Sequence, residues 1–84
     1  MIITVKYFSW IRVKLDKSED SFEINGKLNF KELKLFLIQK DIFFKEIFND
    51  NSIKFFINFK EIENETISII DGDELGILPP VTGG

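Results

Sequence analysis

LNFKELKLFLIQKDIFFKEIF, residues 28–48, carries the helical pattern around which the rest of the chain is read. Asn29 stands where an N-cap belongs, and Glu32 follows three residues on, in the capping-box position. Leu28 and Leu33 occupy the two staple positions. Phe30, Leu33, Leu37, Phe44 and Phe48 then recur at helical spacing. Asp41 offers a second cap, so the block reads either as one helix or as two in succession.

On both sides of this block the period changes from helical to alternating. Residues 2–8 (IITVKYF) place Ile3, Val5 and Tyr7 on one face and Thr4 and Lys6 on the other, the pattern of a half-buried strand. Residues 9–15 fit a short helical turn or an extension of that strand. Residues 20–24 (DSFEI) set Phe22 and Ile24 on one face as a second strand, and Asn25-Gly26 marks a turn. After the block come a turn cluster, Asn49 to Ser52, and an alternating run at 53–57 (IKFFI). Short strands or turns are expected near Ile62 and near Ile67 to Ile69. A tight turn follows at Asp71-Gly72-Asp73. Residues 74–78 (ELGIL) form the last strand, with Leu75 and Ile77 inward and Gly76 and Leu78 outward. The order predicts an α+β fold in which one mixed sheet covers one helical block. The first and last strands lie side by side in parallel, and the helix supplies the crossover that parallel pairing needs. That is the β-grasp, or ubiquitin-like, topology. Residues 1–78 form the domain and residues 79–84 a flexible tail.

The chain has 84 residues, enough for one domain. Its apolar runs stop at three or four residues, far short of a membrane span, and the first eight residues contain Thr4 and Lys6 where a signal core would be apolar. A cytoplasmic location and no membrane partner are therefore expected. There is no Cys and no His, which removes the thiolate nucleophile, the thiolate metal site, the commonest general base and the commonest transition-metal ligand. A self-sufficient hydrolase or redox enzyme is not expected on that basis, and carboxylate chemistry stays open. The net charge of −3 argues against nucleic acid, which demands a basic face.

What remains for chemistry is the end of the chain, Pro79-Pro80-Val81-Thr82-Gly83-Gly84. Two prolines stop strand pairing, because neither has an amide hydrogen, and they favour an extended conformation. Six residues reach at most about 20 Å. A terminal Gly84 without a Cβ leaves its carbonyl open to nucleophiles, and Gly83 passes through a narrow channel. Both properties suit a carboxylate that is activated as an acyl adenylate and then attacked. A bare Gly-Gly is equally what a frayed terminus carries.

The longer run is more specific. Asp71-Gly72-Asp73-Glu74, an apolar strand, Pro79-Pro80-Val81 and Gly83-Gly84 appear in order, Tyr7-Phe8-Ser9 leads to Arg12, and Ile57-Asn58 lies on the middle strand. In these residues the chain resembles the molybdopterin synthase small-subunit family of ubiquitin-like sulfur carriers (MoaD/ThiS-like). Trp10 and the Phe-rich helical block depart from the family's pattern. The resemblance implies a chain that is non-catalytic alone and binds no cofactor or metal itself. A ubiquitin-activating-type adenylyltransferase would spend ATP to adenylate Gly84, and a sulfur relay would convert it to a thiocarboxylate. The thiocarboxylate would then donate sulfur to a cyclic pyranopterin precursor in the large subunit of molybdopterin synthase, within a heterotetramer. Two alternatives stay open: a thiamine-type sulfur carrier and a ubiquitin-like modifier of lysines.

Gly84 and Gly83 are thus the reactive end, with Pro79, Pro80, Val81 and Thr82 setting its reach. Strand parity sends Phe8 and Leu78 to the outer face, where adjoining apolar residues form a partner surface unless a second layer covers them. Phe56 joins them, Phe59 and Ile62 flank the same region, and Arg12 either pairs with a partner carboxylate or sits in solvent. Asp71, Asp73 and Glu74 are read as a turn rather than a metal site. The lysines at 27, 31, 34, 40 and 45, interleaved with acids, are read as a solvated face.

Overall fold

Alternation along Ile2–Tyr7 is realised as strand β1, with Ile3, Val5 and Tyr7 buried. The computed structural model describes residues 1–80. Helix α1 follows over Ser9–Leu15, then β2 over Glu19–Glu23 and the two-residue β3 at Leu28–Asn29. Helices α2 (Phe30–Lys40) and α3 (Phe43–Asn49) make the helical block. Strands β4 (Lys54–Ile57), β5 (Lys60–Glu61), β6 (Ser68–Ile69) and β7 (Glu74–Leu78) complete the described chain.

Residues 9–15 take the helical alternative. Ser9 turns the chain out of β1 with φ at 56°, Ile11 is fully buried, and Asp16 ends the helix in the left-handed region with its N–H on the carbonyls of Arg12 and Val13. The capping box at Asn29 is complete. The Asn29 side chain accepts from the Glu32 N–H and the Glu32 carboxylate accepts from the Asn29 N–H, both at 2.9 Å. The block is two helices, because Asp41 adopts an extended conformation after Lys40 while its Oδ1 accepts the Phe43 N–H at 2.9 Å. Leu33 and Leu37 from α2 and Ile47 from α3 are fully buried beneath the sheet.

The main sheet has the order β2-β1-β7-β4-β5, and β3 pairs with β6 in a second, two-stranded sheet that the alternation did not specify as a pair. β1 and β7 run parallel at the centre, Val5 opposite Leu75 and Tyr7 opposite Ile77; the other pairings in both sheets are antiparallel. This is the mixed-sheet β-grasp arrangement expected from the pattern.

The Phe excess of the helical block has a structural use. Phe48 meets Phe55 at 5.2 Å between ring centroids, Phe30 meets Phe55 at 5.7 Å, and Phe44 stacks on Phe48 at 6.0 Å, tying both helices to β4. Lys34 covers this cluster, its ammonium over the Phe30 and Phe48 rings and 2.7 Å from Glu65. Tyr7, at the end of β1, is buried and donates its hydroxyl to Asp20 at 2.7 Å, and Asp20 also pairs with Lys17 at 3.0 Å.

Candidate functional site

The outer face of the sheet is set by register. Lys6 on β1, Gly76 on β7 and Phe56 on β4 stand in one row, because Lys6 is opposite Gly76 and Gly76 opposite Phe56. Leu78 lies one step further along β7, and Glu74 one step back. Phe8 continues beyond β1. These residues, with Phe59 from the β4–β5 turn, line an open, mostly apolar groove of about 330 Å³. Gly76 forms its floor: a Cβ built there would lie 3.5 Å from Leu78, 3.7 Å from Phe8 and 3.9 Å from Phe56. Lys6 and Glu74 pair at 3.1 Å among the groove residues and supply its charge.

The groove residues hold their places because the Asp-Gly-Asp segment pins the start of β7 on both sides. Toward β1, Asp71 accepts the Ile2 N–H at 2.7 Å, Gly72 at φ +86° donates to the Ile2 carbonyl at 2.9 Å, and the Asp73 carbonyl accepts the Thr4 N–H at 3.1 Å. Toward β4, the buried carboxylate of Asp73 accepts from Asn58 Nδ2 and from the Ile70 N–H, both at 2.9 Å, while Asn58 Oδ1 accepts the Glu74 N–H at 3.0 Å. A buried carboxylate with two N–H donors is satisfied, whereas an unpaired one is costly. The acidic turn is therefore a clamp that aligns β7 between β1 and the β4–β5 hairpin, and Glu74 is committed to Lys6.

Phe8 and Leu78 stand together on the groove, 40% and 36% exposed, with Phe56 half-buried between β7 and β5. Phe59 also belongs to it, whereas Ile62 turns toward the core. Arg12 is exposed on α1 and in no ion pair among the described residues. Pro79 is buried and Pro80 exposed. Val81, Thr82, Gly83 and Gly84 lie outside the described residues. The sequence reading did not include the Gly76 floor or the Lys6–Glu74 pair. Both follow from strand parity once the β1–β7–β4 order is known.

Among the described residues no helix is long and apolar enough to cross a membrane. The ThiS family profile matches residues 5–84. No match was found among the curated proteins. Among solved structures, the crystal structure of the modifier SAMP1 from Haloferax volcanii superposes with a TM-score of 0.83 at 19% identity, over 100% of each chain. A chain of the complex of subunits 1 and 2 of the molybdopterin-converting factor from Helicobacter pylori is similar at 26% identity and a TM-score of 0.69, over 100% of each chain. The small archaeal modifier protein 1 of Methanosarcina acetivorans gives 26% identity and a TM-score of 0.76, over 99% of this chain and 96% of that one.

Proposed function

The chain belongs to the ThiS family, and we propose that within it this protein is the sulfur-carrying small subunit of a molybdopterin synthase. In this reading the Gly84 carboxylate attacks the α-phosphorus of ATP on a ubiquitin-activating-type adenylyltransferase and pyrophosphate leaves. A sulfur donor then displaces AMP from the acyl carbon, which leaves a thiocarboxylate. The tail enters the large subunit, the terminal sulfur displaces an oxygen substituent from a carbon of a cyclic pyranopterin precursor, the carbon–oxygen bond breaking as the carbon–sulfur bond forms, and water then cleaves the acyl–sulfur bond and restores the carboxylate. The carrier contributes position and a terminus. Acid–base groups and phosphate-binding cations come from its partners, which is consistent with a chain that has neither Cys nor His.

One observation carries the reading: the apolar groove sits on the strand that runs directly into Pro-Pro-Val-Thr-Gly-Gly. Six residues span no more than about 20 Å, so any protein that takes Gly84 into its active site must lie close to this end of the sheet. An apolar surface rimmed by charge is what such a protein would cover. The Helicobacter pylori structure, a complex of two subunits of the molybdopterin-converting factor, supports a protein partner. The small archaeal modifier relatives support a second reading, a ubiquitin-like modifier, and family membership leaves a thiamine-type carrier as a third.

Incubation with ATP, the activating enzyme and a sulfur donor tests the proposal by intact mass. The expected product is the chain with one terminal oxygen replaced by sulfur. Branched Gly-Gly adducts on lysines of other proteins, without that species, would favour the modifier.

A further inference from the structure

Two positions on the groove carry residues that the fold by itself does not call for. The β4–β5 turn has Asn58 at φ 50° and Phe59 at φ 70°, a pair of left-handed residues of the kind that normally reads Asn-Gly. Asn58 tolerates that region and uses its amide in the Asp73 clamp. Phe59 is a bulky residue in the same region, a genuine outlier, and it recovers nothing by burial because it is 88% exposed. Gly76 shows the reverse. It lies inside a central strand, where glycine weakens the strand, and an added Cβ would make only ordinary contacts at 3.5 Å and beyond. A large residue stands where the backbone favours glycine, and a glycine stands where a Cβ fits.

The two substitutions have one geometric effect: the missing side chain lowers the groove floor and the Phe59 ring raises its wall. We infer that Gly76 and Phe59 form a socket that selects the partner, receiving an apolar side chain of the protein that takes up Gly84. The inference rests on the reading of this groove as the docking face. That partner is the occupant because the groove adjoins the root of the tail, within the reach that six residues allow. Phe8 and Leu78 supply general apolar area beside the socket, while Phe59 and Gly76 set its shape.

Phe59→Gly, Gly76→Val and Phe59→Tyr, compared with Leu78→Asp, test this in the full-length chain by titration against the recombinant large subunit of molybdopterin synthase and by thermal unfolding. Phe59→Gly and Gly76→Val are expected to keep or raise Tm while weakening binding at least tenfold, and Phe59→Tyr to bind as the parent does. Binding within twofold of the parent for Phe59→Gly and Gly76→Val, with Leu78→Asp impaired, would overturn the socket and leave the docking face standing. A fall in Tm that accompanies the loss of binding would assign both residues to the fold and overturn the inference. Parent-like binding by Leu78→Asp would instead defeat the docking reading itself.

Discussion

Raising the pH above 10 should destabilise this protein through a single side chain. Tyr7 is the only tyrosine in the chain. Its ring is 1% exposed, and its hydroxyl donates to Asp20 at 2.7 Å. Burial, then the hydrogen bond to Asp20, then the negative charges of Asp20 and Asp41, all push its pKa upward from the ordinary 10.0. The unfolded chain therefore releases the phenol proton near pH 10 while the folded chain keeps it. Stability that is fully present below pH 10 is then lost as the pH rises, because the native state binds the extra proton. The slope starts at half a proton at pH 10 and rises toward one, about 1.4 kcal/mol per pH unit, which amounts to roughly 2 kcal/mol between pH 10 and 12. Small domains hold only about 5–15 kcal/mol in total, so the loss is readily measured. Urea unfolding at a series of pH values gives the slope. Tyrosinate absorbance of the native protein reads Tyr7 alone. Tyr7→Phe should cost about 0.5–1.5 kcal/mol at neutral pH and remove this share of the alkaline slope. A native phenol that ionises near pH 10 while the fold persists, or a Tyr7→Phe chain with an unchanged slope, would refute the argument. The consequence reaches the groove, since Tyr7 lies opposite Ile77, directly beside Phe8 and Leu78.

Three further outcomes follow from the geometry. Asp73→Ala removes a buried carboxylate that accepts from Asn58 and Ile70, and should cost about 2–3 kcal/mol in urea unfolding because the donors lose their partner. Asn29→Ala breaks the capping box of α2 and should cost about 1 kcal/mol in the same assay. Phe8→Asp should leave Tm within a few degrees, the ring being partly exposed already, yet weaken binding to the large subunit at least tenfold by calorimetry.

The fold was legible wherever local chemistry and periodicity agreed. Asn29 and Glu32 announced the helix, alternation from Ile3 to Tyr7 gave the inward face, and Leu75 and Ile77 took the buried positions that parity assigned them. Residues 9–15 stayed ambiguous because seven residues are too few to separate one helical turn from a strand, and only the burial of Ile11 decides between them. The β3–β6 pair was invisible as a pair, since two-residue strands carry no period. At the site, parity alone brought Phe8, Phe56 and Leu78 to one surface. It could not show that Gly76 is their floor, because that depends on β7 lying between β1 and β4, which brings Lys6 and Phe56 to either side of it. Nor could it give the conformation of Phe59, which depends on the two-residue turn that joins β4 to β5. The Asp-Gly-Asp turn was recognised as a turn, but its hydrogen bonds to Ile2, Thr4, Asn58 and Ile70 are contacts between distant parts of the chain that no local pattern encodes.

The most direct test is reconstitution. The chain, chemically thiocarboxylated at Gly84, is mixed with the large subunit of molybdopterin synthase and the cyclic pyranopterin precursor, and dithiolene formation is followed. The account predicts product in proportion to thiocarboxylated chain, and none from a chain that lacks Gly83 and Gly84. Absence of product from the loaded carrier, with sulfur passing instead to a thiazole synthase, would contradict it.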